Sequence, residues 1–268
     1  MTTAQPDDAR PRTRMDPRIR QRRIAVRRDE GRRRLRLLIA AMALVAVIAA
    51  GIGVTRSPLL DLDHIRLSGA SEAALADVTR ATGLRRGQAM VDLDEAGLAR
   101  KAMALPWVRT ATVSRRWPAT VVITVTERVP LVAMSRGNGG WALTDRTGRV
   151  VSLALVPPPG VVTLAGLPAA GAPGTDLPAS ARPSLDVAVS LPADLRAQVA
   201  SIGPDGAADA RPGDVALQLR SGAFARLGDS GQLAGKLAAL ATVLRQVDLT
   251  RVAVIDVRVP ESPAIRRS

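Results

Sequence analysis

The hydrophobic pattern of the chain is dominated by one uninterrupted apolar run, Leu37–Val54. A helix rises ~1.5 Å per residue, so the eighteen residues of this run come close to spanning the ~30 Å hydrocarbon layer of a bilayer. The run has no polar face, which argues against a helix buried in a soluble domain. We therefore predict a single transmembrane helix over residues 35–55, which separates a tail of residues 1–34 from the rest of the chain.

The charges that flank the apolar run predict its orientation. Residues 1–36 carry thirteen arginines against five acidic residues, whereas the opposite flank has Arg56 and then two aspartates. Because basic residues favour the cytoplasmic side, we expect the tail to be cytoplasmic, partly as an amphipathic helix at the membrane surface, and residues 57–268 to lie outside. The alternative is a signal peptide cleaved near Ala49–Gly51, although its leader and apolar core would both be unusually long.

The segment after the span begins with a strand and two helices. Residues 61–68 alternate as a short strand. The first helix is predicted over Glu72–Thr82, with Ser71 as its N-cap. The second helix is predicted to start at Asp92, because Glu95 three residues later completes a capping-box-like pattern.

Two strands follow the helices. Trp107–Arg115 and Thr120–Glu127 both alternate with a period of two, and Arg116–Ala119 forms the turn between them. The order β-α-α-β-β predicts a small domain over residues 60–129, with a three-stranded sheet covered on one face by two helices.

Residues 130–260 predict a second unit, and together the two units give an α+β fold. We predict short strands at residues 131–134 and 161–164, hairpins at 139–151 and 215–227, a long loop at 166–183, a helical segment at Ala193–Ser201, a helix at Gln232–Gln246 and a final strand at Arg251–Val259. Pro260 and Pro263 are expected to end this strand, leaving residues 261–268 as a basic tail.

The chain offers little for catalysis. It has no cysteine, which excludes thiolate metal sites, cysteine nucleophiles and disulfides. It has one histidine. Gly228–Gly231 reads GDSG, as around a serine-protease nucleophile, and His64 could complete a triad with Ser230. Ser230 is better explained as the N-cap of the helix that follows. Carboxylates occur singly, and we expect no cofactor, no metal and no small-molecule substrate.

The net charge of +14 does not by itself predict nucleic-acid binding. Residues 1–36 supply about +8 of it, as the count of thirteen arginines against five acidic residues gives, so the remainder is only mildly basic. The positive charge of the tail is explained by its roles in setting the membrane topology and contacting lipid headgroups.

Three short motifs stand out in the small domain and directly after it. Their residues are Pro106, Trp107, Val108, Arg116, Trp117, Pro118, Glu127, Arg128 and Pro130. The order β-α-α-β-β resembles the POTRA module, and these motifs, with a basic tail and a single span, resemble the FtsQ/DivIB bacterial division proteins. We expect these residues to be structural, with Trp107 and Trp117 packing in the core or at the rim of the small domain.

The resemblance implies a function without catalysis. It implies a membrane-anchored scaffold at the division septum that binds FtsB-like and FtsL-like single-span proteins and contacts the septal peptidoglycan synthase complex. Two alternatives stay open. One is another POTRA-type adaptor in envelope assembly, and the other is a membrane-tethered protease that uses Ser230.

The final predicted strand is the expected partner-binding site, and the resemblance points to the same strand. A terminal strand often lies at a sheet edge, where unpaired N–H and C=O groups can accept a partner strand. The alternation places Ala253, Ile255, Val257 and Val259 on one face, and Asp256 and Arg258 on the other. The predicted site consists of Arg251, Val252, Ala253, Val254, Ile255, Asp256, Val257, Arg258, Val259 and Ser262. The opposing explanation is that this strand is interior or covered by the chain itself.

Overall fold

The computed structural model describes residues 17–55, 60–137 and 139–267. Helix α1, Pro17–Thr55, contains the apolar run, and its segment Arg33–Gly53 is long and apolar enough to cross a membrane. It is the one such helix among the described residues, and its apolar side chains between Leu35 and Ile52 are exposed. This fits a single-pass membrane protein. The expectations for residues 1–16 lie outside the described residues.

A small sheet follows the span, and it has the predicted order β-α-α-β-β. Its elements are β1 (His64–Ser68), α2 (Ala74–Thr82), α3 (Glu95–Met103), β2 (Val108–Arg116) and β3 (Thr120–Glu127). Strand β3 lies in the middle, parallel to β1 and antiparallel to β2. We call residues 60–128 the proximal module, because they come directly after the span.

The core of the proximal module lies between this sheet and its two helices. Ile123 is fully buried on the central strand, between Leu67 of β1 and Val113 of β2. Val78 of α2 and Ala102 of α3 belong to the same buried cluster. The period-two alternation predicted for β3 is confirmed, because Val121, Ile123 and Val125 are all buried. Burying a side chain the size of isoleucine stabilises a fold by about 1.5–3 kcal/mol.

The helix starts differ from the predicted ones. Helix α2 begins at Ala74, and the Ser71 side chain does not cap it. Helix α3 begins at Glu95, because Asp92 lies in a 3-10 turn that precedes it. The Glu95 carboxylate does not close a capping box but accepts a hydrogen bond of 2.8 Å from Arg115 Nε on β2. A contact between distant elements has replaced the local one that the sequence suggested.

The tryptophans of the proximal module are not equivalent. Trp107 is half-buried against the core, as expected. Trp117 lies in the turn between β2 and β3, before a cis peptide bond to Pro118, and 55% of its surface is exposed. Trp117 is therefore not part of the core, which was one of its two expected positions.

The second sheet has nine strands in the order β12-β11-β10-β9-β8-β7-β4-β5-β6. The strands are β4 (Pro130–Ser135), β5 (Trp141–Asp145), β6 (Val150–Ala154), β7 (Val162–Leu164), β8 (Val199–Pro204), β9 (Val215–Leu219), β10 (Phe224–Gly228), β11 (Val252–Asp256) and β12 (Ala264–Arg267). The helices are α4 (Arg182–Ser190), α5 (Ala193–Arg196) and α6 (Leu233–Gln246). Leu185 of α4 and Leu240 of α6 belong to the buried core that the helices form with one face of the sheet. This arrangement agrees with the predicted α+β fold.

Two segments of the second unit were predicted wrongly. The expected helix over Ala193–Ser201 is helical only to Arg196, and Val199–Pro204 forms a strand near the middle of the sheet. The longer helix α4 lies where the predicted loop ended, with Pro183 in its first turn. Proline is compatible with a first helical turn because the N–H that it lacks would have no partner there.

One arginine joins the two sheets. The Arg128 guanidinium donates to the carbonyl oxygen of Val108 at 3.1 Å and to the Asp145 carboxylate at 2.6 Å. Burial would raise the pKa of Asp145, but hydrogen bonds from Thr147, Arg128 and Arg149 outweigh it and hold that pKa below its usual value. Removing either partner would leave a largely buried charge unpaired.

We predict that Ile123→Asp unfolds the proximal module, because an unpaired carboxylate cannot be buried there without a cost of several kcal/mol. A fragment of residues 57–130 should lose its cooperative melting transition, followed by circular dichroism. Thr124→Asp is the matched control, because Thr124 is exposed on the opposite face of the same strand. A preserved transition in Ile123→Asp would contradict the assignment of the buried face.

Candidate functional site

The end of the nine-stranded sheet differs from the sequence prediction. Strand β11 covers only Val252–Asp256, and it is not the edge of the sheet. Residues Ala264–Arg267, predicted as a tail, pair antiparallel with β11 as strand β12. Between the two strands, the Ser262 N–H donates to the Val259 carbonyl oxygen at 3.1 Å and closes a turn. The strand ends at Asp256, before the stop predicted at Pro260, and the chain then returns beside it.

Strand β12 therefore forms the edge. All four of its residues are exposed, and β11 is its one neighbour within the described part of the sheet. The register places Ala264 opposite Asp256, Ile265 opposite Ile255 and Arg266 opposite Val254. An edge strand carries a row of backbone N–H and C=O groups that its own sheet does not use.

The predicted site residues are divided between the core and the surface. Val252, Ile255 and Val257 are buried, whereas Arg251, Val259 and Ser262 are exposed. Ala253, Val254, Asp256 and Arg258 are half-buried. The predicted face of alternate residues is only partly present, because the register shifts between Val252 and Val254 and the strand ends at Asp256.

A groove of about 930 Å³ lies on the sheet face next to the new edge. Its walls include Phe224, Val254 and Ile265 from three neighbouring strands, and the loop 204–209 forms its rim. Gly203 and Ala165 also line the groove, and a Cβ at Gly203 would collide with the carbonyl oxygen of Ala165. Phe224 and Ile265 remain 48% and 42% exposed.

Two arginines and three aspartates form an ion cluster at the side of this groove. Arg226 donates to Asp205 and to Asp209, each at 2.7 Å. Arg258 donates to Asp256 at 2.7 Å and to Asp209 at 2.9 Å. Strands β10 and β11 are thereby tied to the loop that forms the rim.

The shared carboxylate of Asp209 is strongly perturbed. The hydrogen bond from Arg226, with a second from Arg258, lowers the pKa of Asp209 to about 2. For Asp256, burial would raise the pKa, but the Arg258 guanidinium outweighs it and the pKa is lowered. Both carboxylates therefore stay ionised at neutral pH, as a fixed rim requires.

The residues of the protease alternative lie in different units of the chain. His64 is on β1 of the proximal module, whereas Ser230 is in the exposed turn after β10. Ser230 is not a helix cap, because α6 begins at Leu233 after Gln232 in a left-handed conformation. The Asp229 side chain organises this turn by accepting hydrogen bonds from the Gly231 N–H and from the buried Lys236 ammonium.

Metal binding receives no support from the residues described. Within residues 17–55, 60–137 and 139–267, no group of three or more histidine, aspartate or glutamate side chains is suited to hold a metal ion. The aspartates of the ion cluster are instead neutralised by arginine.

The comparisons with known proteins agree with these two units. Residues 60–128 match the family model described as POTRA domain, FtsQ-type, and residues 133–258 match Cell division protein FtsQ/DivIB, C-terminal. The major extracytoplasmic domain of the trans isomer of the division protein DivIB from Geobacillus stearothermophilus is a distant solved structure. It aligns at a TM-score of 0.33 and 13% identity, over 46% of this chain and 99% of that one, and no conclusion follows at that score.

Two curated relatives cover most of the chain. The cell division protein FtsQ of Mycolicibacterium smegmatis is 31% identical over 230 residues, which are 86% of this chain and 64% of that protein. The chain thus spans just under two thirds of that relative. The cell division protein FtsQ of Streptomyces collinus is 32% identical over 248 residues, which are 88% of this chain and 90% of that protein. The chain belongs to the FtsQ/DivIB family of cell division proteins.

Proposed function

We propose that the chain is a non-enzymatic, membrane-anchored scaffold of the division septum. It binds FtsB-like and FtsL-like single-span proteins and links them to the septal peptidoglycan synthase complex. The observation that carries the proposal is the outer edge of strand β12, which the described sheet leaves unpaired. The family supports the division role, and the edge supports binding of a partner in extended conformation.

The proposed site lies one strand further out than residues 251–259. Because β12 already pairs with β11, a partner strand adds to the outer side of Ala264–Arg267. Main-chain hydrogen bonds hold it, and the side chains along the edge select it. Arg266 and Arg267 are exposed, so they favour a partner strand with acidic residues at facing positions. The groove beside Ile265 accepts apolar side chains that project from the partner.

The ion cluster gives this edge a fixed shape. Arg226 and Arg258 hold the rim of the groove to the strands that precede β12. A rigid site loses less conformational freedom when it binds, which favours affinity without adding contacts.

Two other functions remain distinguishable by experiment. A POTRA-type adaptor of envelope assembly would leave cells able to form septa when the protein is depleted. A protease that uses Ser230 would lose its function in Ser230→Ala with the fold intact, whereas the scaffold would not.

Orientation gives the first prediction of this proposal. Because basic residues before the span favour the cytoplasm, the carboxyl end should lie outside. A reporter that is active only outside the cytoplasm, fused after residue 268, should be active. The same reporter fused before residue 17 should be silent. An inactive carboxyl-terminal fusion in full-length, membrane-inserted protein would reverse the orientation.

The partner's register gives the second prediction. The chain has no cysteine, so single cysteines at Ile265 and Ser262 are clean probes. Each should form disulfide cross-links with cysteines scanned along the FtsB-like partner, and the yield should peak at one register, because strand pairing fixes it. Leu153→Cys is the control, since it lies on β6 at the opposite edge of the same sheet.

A cysteine at Arg258 separates two arrangements. Cross-links from Arg258→Cys that exceed those from Ile265→Cys would mean that the partner displaces β12 and pairs with residues 251–259 directly. Absent cross-links at all three positions, while the complex still co-purifies, would move the interface elsewhere.

A further inference from the structure

The turn that contains Trp117 lies beside the segment through which the chain leaves the membrane span. The N–H groups of Asp63 and His64 both donate to the Ala119 carbonyl oxygen, at 2.9 and 3.0 Å. A second loop lies against the same segment, since the Leu62 N–H donates to the Gln88 carbonyl oxygen at 2.8 Å. We call the turn 116–119 and the loop 85–88 the membrane-side tip of the proximal module.

Covalent geometry keeps this tip close to the bilayer. Helix α1 ends at Thr55, and the hydrogen-bonded segment at the tip begins at Asp61. Six residues span at most about 20 Å, at 3.3–3.6 Å per residue. Strands β1 and β3 are parallel and both start at this tip, so the tip is the end of the module nearest the span, and β3 runs away from it. Its eight residues place the junction with the second unit roughly 26 Å further away.

The side chains on the tip are unlike those of a solvated turn. Trp117 is 55% exposed, and Pro118 next to it is also exposed. Arg85, Arg86 and Arg116 are exposed, and none of them forms an ion pair with another residue in the described part of the chain. The adjacent Arg115 is different, because Glu95 and the Met90 carbonyl oxygen hold it in place.

This composition fits the headgroup layer of a membrane. Tryptophan concentrates at membrane–water interfaces, where its ring is partly buried and its indole N–H stays hydrated. The arginine guanidinium binds phosphate groups through two parallel hydrogen bonds. Asp61, Asp63 and Asp92 lie near the same tip, so net charge does not drive the attachment.

We propose that the membrane-side tip docks on the phospholipid surface next to the span. Trp117 inserts at the depth of the headgroups, and Arg85, Arg86 and Arg116 bind lipid phosphates. The contact holds the proximal module in one orientation on the membrane, with the nine-stranded sheet directed away from it. Since phosphate is common to all phospholipids and the aspartates offset the arginines, docking does not require anionic lipid.

Tryptophan fluorescence tests the proposal in the full-length protein, reconstituted in phosphatidylcholine liposomes. The chain has three tryptophans and no tyrosine, so Trp107→Phe with Trp141→Phe leaves Trp117 as the sole emitter. Lipids brominated near the headgroup should quench its emission by about twofold or more, as for an interfacial tryptophan. The matched control keeps Trp141 alone, in the second unit, and its emission should not change.

A spin label provides a measurement without aromatic substitutions. Pro118→Cys should place a label within the headgroup layer, with low access to a water-soluble relaxation agent. Arg109→Cys, exposed at the other end of the same module, should give a label with full access. Equal access at both positions, or quenching of Trp117 no greater than that of Trp141, would overturn the proposal. Docking that appears only with added phosphatidylglycerol would also overturn the proposal, because the proposed docking does not require anionic lipid.

Discussion

The hydrogen bonds of a β-sheet must end at an edge, and in this protein they end on a strand of four exposed residues, Ala264–Arg267. The nine-stranded sheet is covered on one face by α4 and α6, so its free surfaces are the other face and its edges. At the β12 end, the open face and the open edge meet, and the groove lies at that meeting point. The proposed binding site follows from this constraint on backbone hydrogen bonding rather than from any reactive side chain.

The two ends of the extramembrane part are specialised in different ways. The membrane-side tip carries Trp117 and unpaired arginines, whereas the far end of the proximal module is fixed to the second sheet through Arg128. The Arg128–Asp145 pair is largely buried, and the loss of either partner would leave a charge without compensation. In the proposed function, this pair would hold the partner-binding strand at a set distance from the bilayer. An adaptor that joins single-span proteins, as proposed here, would depend on that distance.

The sequence predicted the elements whose patterns are local. The strands β2 and β3, the hairpin β9–β10 and helix α6 have strong periodicity, and each was placed to within about two residues. The elements that were missed depend on distant contacts. Val199–Pro204 is a strand because β7 and β9 flank it, although its flanking residues favour a helix.

The candidate site was predicted in its region but not in its detail. Strand β12 is too short to be recognised alone, and it forms by pairing with β11 across a turn. The ion cluster joins Asp209 to Arg258, which are 49 positions apart in the sequence. No local sequence pattern predicts a contact between residues so far apart. Trp117 was assigned to packing because tryptophan is usually buried, whereas the turn that holds it places it on the surface.

The most direct test of the central claim is septum formation in cells depleted of the protein and supplied with a chain that ends at Pro263. We expect filaments without septa, although the shortened chain is present in the membrane at the normal level. A full-length chain in which residues 264–267 are replaced by Thr-Val-Lys-Lys should restore septa, because it keeps the main-chain edge, an apolar residue at position 265 and basic residues at positions 266 and 267. Normal division with the shortened chain would contradict the claim that β12 is the edge to which the partner binds.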